Sequence, residues 1–477
     1  MKNNKKTNLI ITLLSSCIFL SFFAYKDAVQ VAENYSYSPT ISPGGVEHKV
    51  SFLDTIKFFQ QTTLRTLPCL LRYAEYRLDN IGITHINGLQ NCLAPKPSSV
   101  PSEINSNFYK LKLKEYQLPI PRSSLVAIDK LNPDVLLIAQ RNGIISTFDS
   151  NSNSITSKID LRVGQPDPSS RFIAGPLNGV NELIGTGVRD ILSEGTYPDI
   201  TLYVTFLSLK KGCLNMNLES VKLNIVNDKL ISYSNRKKIW NNKKDCVSIS
   251  SGPHINGAGG KIVAYGKTKI LVTLGDMNLL DRRTLNTTWG NTILVNRKNG
   301  DAQIFTTGHR NPSGIVNFSG SYIFEVEQGP QGGDEINLLK NKYDYGWPYS
   351  TYGKNYSVDI GSGQYKSAEN THIFGVKPLL AFVPSPAFSS VTLFEKSPPK
   401  YWSNSLGKSD LLISSLKASS IYRCRVSEEL NSIQYCEKIF LRERLRDVIA
   451  LNKQNGQFIY LITDNSTIVK VSISKVR

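Results

Sequence analysis

Beyond about residue 105 the apolar positions fall into short runs rich in β-branched and aromatic side chains, each closed by Gly, Asn, Asp or Ser. That is strand patterning, not helix patterning. Several runs pair across a tight turn. Val135–Gln140 turns at Arg141-Asn142-Gly143 into Ile144–Phe148, and Leu411–Leu416 turns at Lys417-Ala418-Ser419 into Ile421–Arg423. Phe458–Thr463 turns at Asp464-Asn465 into Thr467–Val471, while Thr201–Phe206 and Lys269–Leu274 read as first strands of the same kind. Hairpins of one style spread over about 370 residues imply radial repetition, an all-β propeller. Four strands and roughly 60 residues per blade give six blades. A pair of stacked β-sandwiches is the alternative, but it does not account for one hairpin style recurring so widely.

Upstream the pattern changes. Phe52, Ile56, Phe59, Leu64, Leu67 and Leu71 recur at roughly helical spacing, with Pro68 interrupting or beginning a helix. Residues 49–95 are expected to form a small helical segment. Residues 26–48 carry Ser, Pro and Gly and read as a tether, and 96–104, with Pro95-Lys96-Pro97 leading in, as a linker before a propeller over 105–477. At the start, Lys2, Lys5 and Lys6 precede the uncharged run Leu9 to Tyr25. A helix of that length reaches about 26 Å, marginal for a bilayer. A cut after Ala24 would leave Phe22 where a small residue belongs. Leu14-Ser15-Ser16-Cys17 is like a lipoprotein site, but the apolar run continues past it. Residues 1–25 therefore read as an uncleaved membrane anchor with lysines inside, and the rest as extracytoplasmic (periplasmic side), or secreted if the segment is cleaved.

Composition narrows the function classes. Of 477 residues, 40% are hydrophobic and 20% charged, ordinary for a globular chain, but the net charge is +18. The basic residues are scattered, with short runs only at Arg236-Lys237-Lys238 and Lys243-Lys244. No basic helix or recognition motif accompanies them, so nucleic acid is not an expected partner. Apart from Cys17, six cysteines remain, without Cys-x-x-Cys and without His at zinc spacing. An even number in an exported chain implies disulfides. Fifteen pairings are possible; the sequence-local one, 69–92, 213–246 and 424–436, is the expectation.

The densest candidate chemistry lies between Gly308 and Pro348. Gly308-His309-Arg310-Asn311-Pro312 is followed by the apolar run Tyr322-Ile323-Phe324, then Glu327-Gln328-Gly329-Pro330, Asp334-Glu335-Ile336-Asn337 and Tyr345-Gly346-Trp347-Pro348. A strand feeding a Gly/Pro loop exposes carbonyl oxygens beside two carboxylates, a setting suited to a hard cation such as calcium. The Arg-Asn pair offers a guanidinium fork and an amide for a carboxylate or other planar oxygen-rich group. Taken singly, each fragment is also ordinary turn chemistry.

Together these motifs resemble the quinoprotein glucose/sorbosone dehydrogenase family. Leu274-Gly275-Asp276, Trp289 to Leu294, Ser415-Leu416-Lys417, Arg444 to Val448 and Tyr460 to Asp464 are similar in the same order, over roughly residues 115–477. The resemblance implies a six-bladed propeller that binds pyrroloquinoline quinone (PQQ) and calcium and oxidises an aldose. Electrons would pass to a quinone or cytochrome acceptor. It implies PQQ contacts from Arg310, Asn311, Lys417, Arg444 and Arg446, and calcium held by the carbonyls of Gly329 and Pro330. Asp334 and Glu335 would serve a second, structural calcium or orient the loop, and His309 would orient Arg310. The base, by the same resemblance, is His254, although Pro253-His254-Ile255-Asn256-Gly257-Ala258-Gly259-Gly260-Lys261 puts it about three residues earlier than the family pattern and has Lys261 for the usual Arg. A neutral imidazole suits that role. Near Val180-Asn181-Glu182, Val stands at the Gln the resemblance leads one to expect, with Asn181 or Glu182 as its substitute. A propeller that binds a glycan, small ligand or protein without turnover is the competing reading.

Overall fold

The computed structural model describes residues 100–106, 109–120, 124–163, 186–248, 255–277, 287–319, 322–354, 371–394, 410–453 and 456–475. The expected anchor, tether and helical segment, and the pair Cys69–Cys92, lie outside the described residues. Among the described residues no helix is long and apolar enough to cross a membrane.

Six antiparallel sheets succeed one another along the chain. The first blade is β3 to β6 (Leu125–Lys130, Val135–Gln140, Ile144–Asp149, Ser154–Asp160). The second is β7 to β10 (Gly187–Thr196, Asp199–Lys210, Cys213–Val226, Lys229–Asn241), with the short β11 (Val247–Ser248) pairing β9. The third is β12 to β15 (Gly259–Tyr265, Lys269–Leu274, Asn291–Asn296, Ala302–Thr307). The fourth is β16 to β19 (Pro312–Ser319, Tyr322–Glu327, Asp334–Leu339, Leu380–Phe382), and the fifth β20 to β23 (Phe388–Phe394, Asp410–Ser415, Ser420–Val426, Ile433–Phe440). The sixth joins β24 to β26 (Leu445–Lys453, Gly456–Thr463, Thr467–Lys475) to β2 (Tyr109–Gln117) and β1 (Glu103–Asn105).

The first strand of each blade packs against the first strands of both neighbours, and β24 returns to β3, so the ring closes. Closure also joins the two ends of the propeller chain: β2 pairs with β26 from Tyr109 opposite Lys475 to Gln117 opposite Thr467. A closed ring leaves only short outer edges exposed. The second strands β4 and β21 are buried throughout and β13 nearly so, because each faces a neighbouring blade on both sides. Apolar clusters fill the gaps between blades. One, around Trp289, Leu207 and Val272, joins blades two and three, and the Trp289 indole N–H donates to the Asp245 carbonyl at 2.6 Å.

Two of the expected disulfides form, Cys213–Cys246 and Cys424–Cys436. The first closes a 33-residue separation and ties β9 to the turn after β10. Its loop-closure contribution is about 3–4 kcal/mol. Replacing both Cys213 and Cys246 by Ser is expected to lower urea-unfolding stability by about 3 kcal/mol; a loss below about 1 kcal/mol would show that the loop is held without the bridge.

Candidate functional site

A β-bulge in every blade builds the centre of the molecule. Near the start of each first strand the register with the second strand slips once: after Leu125, Val188, Gly259, Pro312, Phe388 and Leu445. Such a slip leaves a residue unopposed and re-aims its side chain. The residues passed over are Val126, Arg189, Gly260 with Lys261, Ser313, Ser389 and Arg446. All of them except Gly260 line one cleft of about 720 Å³ at the propeller axis. Hydroxyls of the preceding blade satisfy the bulge carbonyls. Thr205 donates to Gly260 O at 2.5 Å, Thr273 to Pro312 O at 3.1 Å, Ser313 to Phe388 O at 2.7 Å and Ser389 to Leu445 O at 2.7 Å.

Lys261 is buried and its ammonium lies 3.3 Å from Asp190 and 3.4 Å from Asp447. Asp190 also accepts from Ile262 N at 2.9 Å, and Asp447 from Ile128 N at 3.0 Å. This ion triad joins blades two, three and six, and reaches blade one through Ile128. Burial pushes the Asp190 carboxyl up, against the pull of Lys261. Burial presses the Lys261 ammonium down, but Asp190 and Asp447 outweigh it and hold its pKa above the ordinary value.

The cleft wall is uneven in charge. On blades four and five it offers Asn311, Ser313, Gln328 and Ser389, all neutral. On blades six, one and two it offers Arg446, Arg141 and Arg189. Arg446 and Arg444 share Asp464, with Arg444 Nε at 2.7 Å. Burial raises the Asp464 carboxyl, and the two guanidiniums more than offset that and hold it below its usual range.

A second, smaller cavity of about 230 Å³ adjoins the Gly329 loop and is lined by Arg310, Glu327, Gly329, Glu335, Tyr345 and Trp347 among others. Arg310 Nη1 donates to Gly329 O at 2.7 Å and Gln328 O at 3.1 Å, and the guanidinium lies 5.6 Å from the Trp347 ring centroid. His309 is fully buried, stacks on Tyr345 and reaches Glu327 Oε1 through Nδ1 at 3.3 Å. The other oxygen of Glu327 accepts from Arg310 N at 2.8 Å, so His309 acts on Arg310 through Glu327. Asn337 Nδ2 donates toward Glu325, Glu327 and Glu335 at 3.1, 3.1 and 3.3 Å. Burial, and after it the charge of Glu327, pushes the carboxyls of Glu325 and Glu335 far up. Among the described residues, His309, Glu325 and Glu327 bring ligand atoms within 4.8 Å of one another, a grouping that could hold a metal ion. Asp334 accepts from Ser385 Oγ at 2.6 Å, Phe388 N at 3.1 Å and Gly329 N at 3.2 Å; burial raises its carboxyl to about 6 against these donors. It orients the loop.

Of the residues singled out from sequence, Asn311 and Arg446 line the axial cleft, with Leu416, the neighbour of Lys417. Lys417 is exposed in the turn between β21 and β22, its N–H donating to Pro386 O at 3.1 Å. Arg310, Gly329 and Glu335 line the second cavity, with Pro330 and Asp334 buried beside them. His254, Asn181 and Glu182 lie outside the described residues. Arg141 and Arg189 line the axial cleft as well, without a motif that marks them in the sequence. The available signal was a charged pair, Arg189-Asp190, inside an otherwise strand-like run.

Fold and site define a six-bladed propeller with a polar cleft at its axis. The family model of glucose/sorbosone dehydrogenases matches residues 124–470. The chain belongs to that family. It is 26% identical over 326 residues to the aldose sugar dehydrogenase YliI of Escherichia coli K12, covering 64% of this chain and 82% of that protein. Over 47 residues, 10% of each chain, it is 45% identical to quinoprotein glucose dehydrogenase B of Acinetobacter calcoaceticus. Among solved structures, the apo form of the E. coli soluble aldose sugar dehydrogenase superposes with a TM-score of 0.57 at 20% identity, covering 76% of this chain and 99% of that one. The PQQ-bound aldose sugar dehydrogenase of Streptomyces coelicolor gives 0.52 at 16%, covering 79% and 100%. At these identities the structural likeness speaks for the fold.

Proposed function

We propose that the protein is a PQQ- and calcium-dependent sugar dehydrogenase, oxidising a CH–OH group of an aldose and passing electrons to a quinone or cytochrome acceptor. The observation that carries this is the pairing of a cation- and amide-lined cleft with an acid-lined cavity across one loop, Gln328 to Asp334. PQQ is a planar tricarboxylate, and the donor set fits it: Arg446 and Arg444 for carboxylates, Asn311 for planar oxygens, Lys417 at the rim. Calcium fits the second cavity, where the carbonyls of Gly329 and Pro330 and the carboxylate of Glu335 would hold it while Asp334 and Arg310 fix the loop. When bound, the quinone supplies the hydride acceptor and the cation a Lewis acid. His254 would take the hydroxyl proton as the hydride leaves. The exported setting, with the N-terminal segment as a membrane tether, is part of the same reading; the disulfides support it.

The test is reconstitution of purified protein with PQQ and calcium, with dye reduction then measured on a panel of aldoses. Quinone binding with turnover is the expected result; a folded sample that binds no quinone and reduces no dye would leave a non-catalytic binding propeller. Arg446→Ala is expected to weaken PQQ binding by about 10–100-fold, through loss of one half-buried charge-assisted contact. An unchanged quinone affinity would remove Arg446 from the cofactor site.

A further inference from the structure

The cofactor contacts leave Arg141 and Arg189 unassigned. Both line the axial cleft, from blades one and two. Their placement is built into the backbone. Gly187 has φ +99°, and a Cβ there would lie 2.0 Å from the Arg141 carbonyl oxygen, which accepts from Val188 N at 2.8 Å. Only glycine lets β7 run this close to Arg141. At Gly260, φ +101°, a Cβ would lie 2.6 Å from Arg189 Cβ, so the arginine stem rests on bare backbone. Arg189 Nη2 donates to Ile255 O at 2.6 Å, at the turn just after His254 in the chain, and its buried Nε has no hydrogen-bond partner.

The cost of this arrangement is visible. Burial, then the charges of Arg189 and Arg446, push the Arg141 guanidinium well below its ordinary pKa. Burial and Arg446 lower Arg189 to about 10. Among the described residues, Asp464 is shared by Arg444 and Arg446 and also acts on Arg141, while Asp190 and Asp447 pair with Lys261. Half-buried guanidiniums held together in one cleft match an anionic oxygen group. They face a wall whose other half is neutral.

Resting on the sugar-oxidising reading above, we propose that Arg141 and Arg189 form a subsite for the anionic group of the substrate, which is an acidic aldose bearing a carboxylate or a phosphate. The sugar ring would then lie between this pair and the neutral wall, next to the turn Ile255–Gly257.

The experiment compares glucose, glucuronate and glucose 6-phosphate as substrates of the PQQ- and calcium-loaded protein. Binding of the same sugars to quinone-free protein is measured in parallel by calorimetry. The expected result is a kcat/KM for one acidic sugar at least about tenfold above that for glucose; which one separates carboxylate from phosphate. Arg189→Leu and, separately, Arg141→Gln should lower that ratio at least about tenfold, and Arg189→Lys should restore part of it. If a loaded protein oxidises no sugar, the enzyme reading fails, but loss of acidic-sugar binding in the calorimetric arm on Arg189→Leu still supports the subsite. Two results overturn it. One is a glucose preference in the wild type that Arg189→Leu leaves unchanged. The other is a PQQ affinity that falls with Arg189→Leu as far as with Arg446→Ala while the sugar ratio stays constant, which would assign these cations to the cofactor.

Discussion

Replacing Lys261 by Met is expected to destabilise the protein by about 3–5 kcal/mol, the cost of breaking a buried ion pair from one side. The side chain is almost fully enclosed, and its ammonium is the shared counter-ion of Asp190 and Asp447. Without it two buried carboxylates from blades two and six face each other at the axis. The loss should depend on pH with a definite sign. A carboxyl whose folded pKa is raised binds its proton more tightly folded than unfolded. Its burden on stability is therefore absent below the unfolded value of 3.8 and grows as pH rises through the folded one. Lys261, whose pKa is raised, supplies stability that is complete below 10.5 and is lost only above that. Removing it pushes Asp190 further up. The gap between wild type and Lys261→Met should hence be smaller at pH 5 than at pH 8. Chemical denaturation of both proteins at the two pH values measures this; a gap below about 1 kcal/mol at pH 8, or one that widens on acidification, would show that the triad carries no such load.

The triad also explains what could be read from sequence and what could not. The apolar runs that announced a propeller, Val135–Gln140, Thr201–Phe206, Lys269–Leu274, Leu411–Leu416 and Phe458–Thr463, fall on second strands of blades, with Leu416 one residue past the end of its strand. Those strands face neighbouring sheets on both sides, and their burial leaves an unmistakable record in side-chain type. The first strands, which build the site, leave almost none. Each is interrupted by a bulge near its start, where polar side chains turn toward the axial cleft, so Arg189-Asp190, Lys261, Ser389-Ser390 and Arg446-Asp447 read as breaks in a pattern. The Gly308–Pro348 chemistry was legible because its residues are close in sequence as well as in space. The partnership of Lys261 with Asp190 and Asp447 spans 71 and 186 positions, which no local reading can recover. Sequence likewise marked Arg310 and Gly329 as separate groups, one for a carboxylate and one for a cation. In the fold they are hydrogen-bonded to each other, so the guanidinium and the loop carbonyl form one unit between the two cavities.

His254→Ala is expected to lower kcat by about 10²- to 10⁴-fold, the usual contribution of a positioned general base, with PQQ affinity unchanged. The split between the two readouts has its origin in the site. The groups proposed to grip the quinone come from later in the chain: Asn311 from the connection between blades three and four, Lys417 from blade five, Arg444 from the connection between blades five and six, and Arg446 from blade six. His254 precedes blade three, next to a described turn, Ile255–Gly257, that has its own supports. Arg189 holds the Ile255 carbonyl, Gly275 packs against Gly257 so closely that a Cβ would lie 1.9 Å from its oxygen, and Met277 N donates to that oxygen at 3.4 Å. A turn anchored in this way should survive truncation of one neighbouring side chain, so loss of turnover can be read as loss of the proton acceptor and not of the loop. Stopped-flow reduction of the bound quinone, compared with its equilibrium binding, separates the two. Equal falls in both would point to collapse of the loop, and an unchanged reduction rate would move the base to another residue.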